Sequence, residues 1–165
     1  MTQDREVPQG RLVKSAEVAW EEWTHGARFG SRYKPLGKLA GGSHVGVQLE
    51  ELAPGFQSCP VHYHLLEEEH LFALEGSATL CWGDQQITLV AGDYVCFPAG
   101  DARGHALIND GGVTFRFLMI GESKPDEVCI YPDSDKIMVR AAKQVFRRGG
   151  AVDYWSDEPG RPGVR

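Results

Sequence analysis

The sequence contains no run of about 20 apolar residues, the length that a bilayer-spanning helix requires. The nearest approach, Val113 to Ile120, is broken by Arg116. No apolar segment follows Met1 to Pro8, so neither a secretory signal nor a membrane anchor is expected, and the expected location is cytoplasmic. Positive charge is also short: 17 Lys and Arg stand against 23 Asp and Glu, a formal net charge of −6. Without a positive field to attract phosphate backbones or anionic lipid, nucleic acid and membrane are not expected as partners, which leaves a small molecule. No C-x-x-C pair is present; Cys59, Cys81, Cys96 and Cys129 lie far apart and read as buried, reduced thiols. Internal repeats, low-complexity blocks and sustained helical periodicity are missing too, which excludes fibrous and disordered classes.

What is there suits one folded domain: 165 residues, 42% of them hydrophobic. Glycine is abundant, with 20 residues against 9 prolines, roughly one residue in eight, and many turns in a short chain favour short strands. The middle of the chain alternates polar and apolar residues between glycine turns. Val45 to Glu50 ends at Ala53-Pro54-Gly55, His70 to Leu74 at Glu75-Gly76, and Ala78 to Trp82 at Gly83-Asp84. Gln85 to Val90, Tyr94 to Phe97, His105 to Ile108 and Val113 to Ile120 follow in the same manner. With Cys59 to His64, this predicts about eight strands between residues 36 and 120 in an antiparallel sandwich or barrel. The expected organisation is an N-terminal arm (1–35), a β-barrel (36–140) and a C-terminal tail (141–165). Ser15 to Trp23 reads as a short helix capped by Ser15 or as an extended arm whose two tryptophans need cover. Beyond Arg147 the tail is rich in glycine and proline yet carries Tyr154 and Trp155, so it either docks or frays.

The chemistry concentrates in His62-Tyr63-His64. In an extended segment both imidazoles leave one face and Tyr63 the other, which makes half of a metal site. From Glu69 the chain re-enters a strand, so Glu69, Leu71 and Ala73 share one face and a carboxylate can return beside the imidazoles. His105 opens a later strand and offers a third imidazole. Three histidines and one carboxylate can enclose a divalent transition metal such as Mn, Fe, Ni, Co or Zn, in preference to Mg or Ca. The remaining residues read as follows: His70 as a packed or dimer-contact imidazole, His25 and His44 as structural, Glu67-Glu68 as a solvated turn. Arg103 is a candidate substrate-binding and catalytic residue because a guanidinium pairs with phosphate or carboxylate, and Tyr94 is a second catalytic candidate.

These residues resemble the cupin family. Its first motif is matched by Gly55, His62, His64, Glu69 and Gly76, its second by Gly92, Pro98, Gly100, His105 and Asn109. One departure is visible: four residues, Asp101 to Gly104, separate Gly100 from His105 where the commonest form has two. Arg103 then occupies the slot that histidine holds by strict count. Arg28 to Arg32 and Tyr131 to Ser134 are similar to segments of small bacterial single-domain cupins, some of them named sugar-phosphate isomerases. The resemblance implies an all-β jelly-roll barrel, metal ligands His62, His64, Glu69 and His105, and a homodimer. Three activities fit such a site: Lewis-acid isomerase or epimerase chemistry on a small chelating substrate, dioxygen-dependent oxidation, or small-molecule sensing without turnover.

Overall fold

The structure, a computed structural model, describes residues 11–158. The start of the chain, Met1 to Pro8, and the last part of the tail lie outside the described residues. A single 3-10 turn, Ser15–Glu17, leads into β1 (Glu21–His25) and β2 (Phe29–Lys34), followed by a one-turn helix, α1 (Leu36–Leu39). The barrel continues with β3 (Val45–Leu52), β4 (Tyr63–His64), β5 (Glu69–Glu75) and β6 (Ser77–Trp82). Next come β7 (Gln85–Val90), β8 (Tyr94–Phe97), β9 (His105–Ile108) and β10 (Phe115–Glu122). The chain then forms β11 (Val128–Tyr131), β12 (Lys136–Val139) and β13 (Gln144–Arg147). Among the described residues no helix is long and apolar enough to cross a membrane.

Eight strands, β3 to β10, cover the region in which eight were expected. They fall into two facing layers. One is a six-stranded sheet in the order β1-β2-β3-β10-β5-β8; the other combines β13-β12-β11-β4 with β7-β6-β9, joined by an antiparallel bridge between His62 and His105. The strands pair antiparallel throughout. Leu52, Leu71, Ala73, Phe115 and Phe117 from the first layer meet Leu80, Leu89 and Leu107 from the second, and all are buried. Burying such side chains stabilises by about 1.5–3 kcal/mol each, so this interlayer packing is the main source of stability.

Two motif residues owe their identity to this packing. Gly76, between β5 and β6, has φ +75°, and a Cβ there would stand 2.5 Å from the carbonyl oxygen of Thr114, so only glycine fits. Asn109 is fully buried; its Nδ2 donates to the carbonyls of Leu52 and Val113, and its Oδ1 accepts from the Gly111 amide. It closes the β9–β10 connection with no polar group left unpaired.

Residues before 36 join the main sheet: β2 pairs with β3 and carries β1 with it. Ser15 makes no capping hydrogen bond; instead its carbonyl accepts from Nζ of Lys34, which with Arg32 lies over the ring of Trp20. Residues 144–147 of the expected tail form β13, whereas Tyr154 and Trp155 are exposed and meet edge-to-face. The Glu67-Glu68 pair is not a solvated turn either. Glu67 is buried, spanned by the Arg140 guanidinium and bonded by the Lys124 amide, because β11 and β12 fold back over this corner.

Across the outer face of the main sheet runs a row of alternating charge. Glu22, Arg32, Glu51, Arg116 and Glu75 are cross-strand neighbours on β1, β2, β3, β10 and β5. Glu51, buried at the centre, accepts from Arg32 Nε at 2.6 Å and Arg116 Nε at 2.7 Å. Burial alone would raise its carboxyl, but the hydrogen bonds and charges of Arg116 and Arg32 hold it below the usual carboxylate range.

Candidate metal centre

The alternation of β5 places Glu69 on the inner face with Leu71 and Ala73, while Phe72 is exposed on the other face. β4 brings His64 beside it, and the bridge to β9 sets His62 against His105. The four predicted residues therefore converge: ligand atoms of His62, His64, Glu69 and His105 all lie within 4.8 Å of one another. Oε2 of Glu69 is 3.3 Å from His64 Nε2 and 3.2 Å from His105 Nε2. The His62 ring is 5.0 Å from that of His64 and 4.7 Å from that of His105, centroid to centroid. Phe97 stacks on His105 at 3.9 Å and fixes its plane.

The electrostatics suit a cation. Burial and the neighbouring His105 push His62 down to about 4, so this imidazole is neutral, as a ligand must be. Its Nδ1 donates to the Pro60 carbonyl at 3.0 Å, which leaves the Nε2 lone pair free. Burial would raise Glu69, but a hydrogen bond from His105 and the nearby His64 imidazole hold it far below the ordinary carboxylate range. For His64, burial favours the neutral ring, yet Glu69 followed by Glu127 and Glu67 outweigh it and raise the imidazole. Both ring nitrogens of His64 are buried without a hydrogen-bond partner among the described residues. An imidazole in that condition among carboxylates is what a bound cation would satisfy, so the four residues fit a divalent transition metal.

A cavity of about 250 Å³ opens on His62, Glu69 and His105, walled by Tyr33, Gln48, Glu50, Cys59, Phe117 and Met119 among others. Glu50 makes no hydrogen bond to another described side chain. Burial and the nearby Glu69 push it up to about 7. Its alternation signal was present in Gln48-Leu49-Glu50 but inverted: α1 packs on the outer side of β3, so the polar positions face the cavity. Burial pushes the Cys59 thiol up to about 12, and all four cysteines are free. A second cavity, of about 480 Å³, shares Trp23 with the first and is lined by His25, Arg28, Gln57, Asp133 and Lys136. There Arg28 Nε donates to Gln57 Oε1 at 2.9 Å, fixing the guanidinium.

Two candidates do not enter the cavity. Arg103 turns outward over Trp82 at 4.2 Å, and its fork is taken by Asp101, with Nε at 3.0 Å and a terminal nitrogen at 2.5 Å from the two carboxylate oxygens. The acid two residues earlier satisfies it locally. Tyr94 lies on the outer face of β8, 59% exposed, its hydroxyl 2.5 Å from His70 Nδ1. The alternation that turns Phe97 inward turns Tyr94 out. His70 shares that outer face, with Nε2 3.0 Å from Glu68. Sequence reasoning missed Glu50, Arg28, and the buried pair Glu67 and Glu127; Glu127 sits in a turn with no periodicity to announce it.

Residues 48–121, from β3 through β10, match the family model of the cupin domain. Among solved structures, a protein of Acidithiobacillus ferrooxidans, provisionally named a sugar phosphate isomerase, is similar with a TM-score of 0.80 and 29% identity. That similarity covers 87% of this chain and 96% of the other. A sugar phosphate isomerase of the cupin superfamily from Silicibacter pomeroyi gives 0.76 and 28%, over 85% and 94% of the two chains. The polyketide cyclase RemF of Streptomyces resistomycificus, 22% identical with a TM-score of 0.59 over 68% and 79%, shares the fold. No curated protein matches the chain. With both histidine motifs seated on facing strands of such a barrel, residues 48–121 form a cupin domain.

Proposed function

We propose that the protein is a metal-dependent isomerase acting on a small phosphorylated hydroxy-carbonyl compound, with His62, His64, Glu69 and His105 holding the cation. The observation that carries this reading is Glu50, a carboxylate without a hydrogen-bonded side-chain partner among the described residues, in the same cavity as His62, His105 and Glu69. A bound dication would supply Lewis acidity to a substrate carbonyl. Glu50 is the group available to take a proton from the adjacent carbon and return it to the neighbouring one, and a carboxyl that titrates near neutrality suits both steps. Tyr33 and Gln48 on the cavity wall can hold substrate hydroxyls, and Phe117 and Met119 limit water. Arg28, oriented by Gln57, and Lys136 in the adjoining cavity can hold a phosphate. The names of the two relatives just described are consistent with that substrate class.

The test is incubation of metal-loaded protein with aldose and ketose phosphates in deuterated water, without dioxygen. Isomer formation with carbon-bound deuterium is expected, with a loss of about 10²- to 10⁴-fold in Glu50→Gln. Metal content near one per chain is expected in the wild type and its loss in His62→Ala. No exchange across the panel overturns the isomerase; substrate-dependent dioxygen uptake would replace it with an oxygenase.

A further inference from the structure

We propose that Glu127 is a positioning residue that fixes the proton of His64 on Nδ1, so that the turn leading into β11 completes the metal-binding set; this rests on the reading of that set as a cation site. The two nitrogens of His64 face different surroundings. Nε2 points toward Glu69, at 3.3 Å, on the side of the converging imidazoles. Nδ1 lies on the far side of the ring, beside a pair of buried carboxylates, Glu127 at 3.3 Å and Glu67 at 3.7 Å.

These two acids are not equivalent. The Arg140 guanidinium spans both oxygens of Glu67, with Nη2 at 2.8 Å from Oε2, so its charge is already matched. Glu127 is fully buried, and among the described residues its oxygens accept only from uncharged groups, the amides of Leu65 at 3.0 Å and Leu66 at 3.1 Å. The amides hold the carboxylate in place and leave its charge directed at His64. A buried carboxylate facing an imidazole nitrogen favours the tautomer with the proton on that nitrogen, which leaves the other with a free lone pair. His62 shows the same arrangement with another acceptor, the Pro60 carbonyl on its Nδ1. Both histidines of the first motif are thus turned with Nε2 inward, one by its own loop and one by a residue 63 positions later in the chain. Partners of this kind commonly change metal affinity by about 10- to 100-fold.

The experiment uses the full chain labelled with ¹⁵N-histidine, freed of metal and studied at an alkaline pH at which the imidazoles are neutral. In the wild type the His64 ring should show the Nδ1–H tautomer. Glu127→Gln presents an amide that cannot accept from both backbone amides and His64 together, so His64 should move toward the Nε2–H form. His62 should be unchanged, and zinc affinity, measured by chelator competition, should fall about 10- to 100-fold. An Nε2–H tautomer at His64 in the wild type overturns the proposal without any variant, which covers a failure of Glu127→Gln to fold. An unchanged tautomer and zinc affinity in a folded Glu127→Gln overturns it as well. Wild-type protein with the expected tautomer that binds no zinc, manganese, iron, cobalt or nickel supports the assignment of His64 but overturns the cation reading.

Discussion

Glu50 and Glu51 are neighbours on β3 with opposite fates, one in the cavity and one beneath the charge row. Glu50 titrates higher in the fold than in the unfolded chain. Its contribution to stability is therefore complete below about 4.5 and lost as pH rises through about 7. In metal-free protein, Glu50→Gln should raise the melting temperature at pH 8 and leave it nearly unchanged at pH 4, a gain of up to about 3 kcal/mol. An equal effect at both pH values would mean that the carboxyl is hydrated after all. Most of the candidate ligand set was legible at this scale, because strand parity alone puts His62 with His64 and Glu69 with Leu71. Arg103 and Tyr94 stay outside the cavity for a different reason. Each is satisfied by a partner on the outside, Asp101 and His70, and such choices are invisible in spacing.

Among elements, the N-terminal strands were the least legible. Every residue of β1 is exposed, so it lacks the apolar alternation that marks a half-buried strand, whereas β3 has the alternation but turns its polar side to the cavity. What ties β2 to β3 is the charge row. Glu51 lies below its unfolded value, so its stabilisation is complete above about 4.5 and disappears as pH falls through the folded value. Arg32 and Arg116 are each more than a third exposed, which screens the pairing, and about 2 kcal/mol is a reasonable size for the effect. Urea midpoints of the wild type should drop between pH 5 and pH 3, whereas Glu51→Gln should begin low at pH 7 and change little. A wild-type midpoint that is flat over that range would refute this account.

For the whole molecule, the two-layer barrel and its span from β3 to β10 followed from turn spacing, but the closure of the second layer by β11 did not. That pairing joins residues more than 60 apart, Cys129 with His64 and Ile130 with Tyr63, and no local pattern encodes it. Stability should be uneven as a result. β10 lies between β3 and β5 with Phe115 and Phe117 fully buried, whereas every residue of β13 is exposed. Native-state hydrogen exchange should be slowest in β3, β5 and β10 and faster by orders of magnitude in β13. Equal protection in β13 would show that a partner covers it.

The same pairing orders events during synthesis. A ribosome delivers His62, His64, Glu69 and His105 before it reaches β11, and only then can β4 gain its second neighbour. While the chain is growing, an ion that arrives early meets imidazoles on a loose segment and one that arrives late meets a finished cage. The proposed cation site is therefore complete only once β11 has been made.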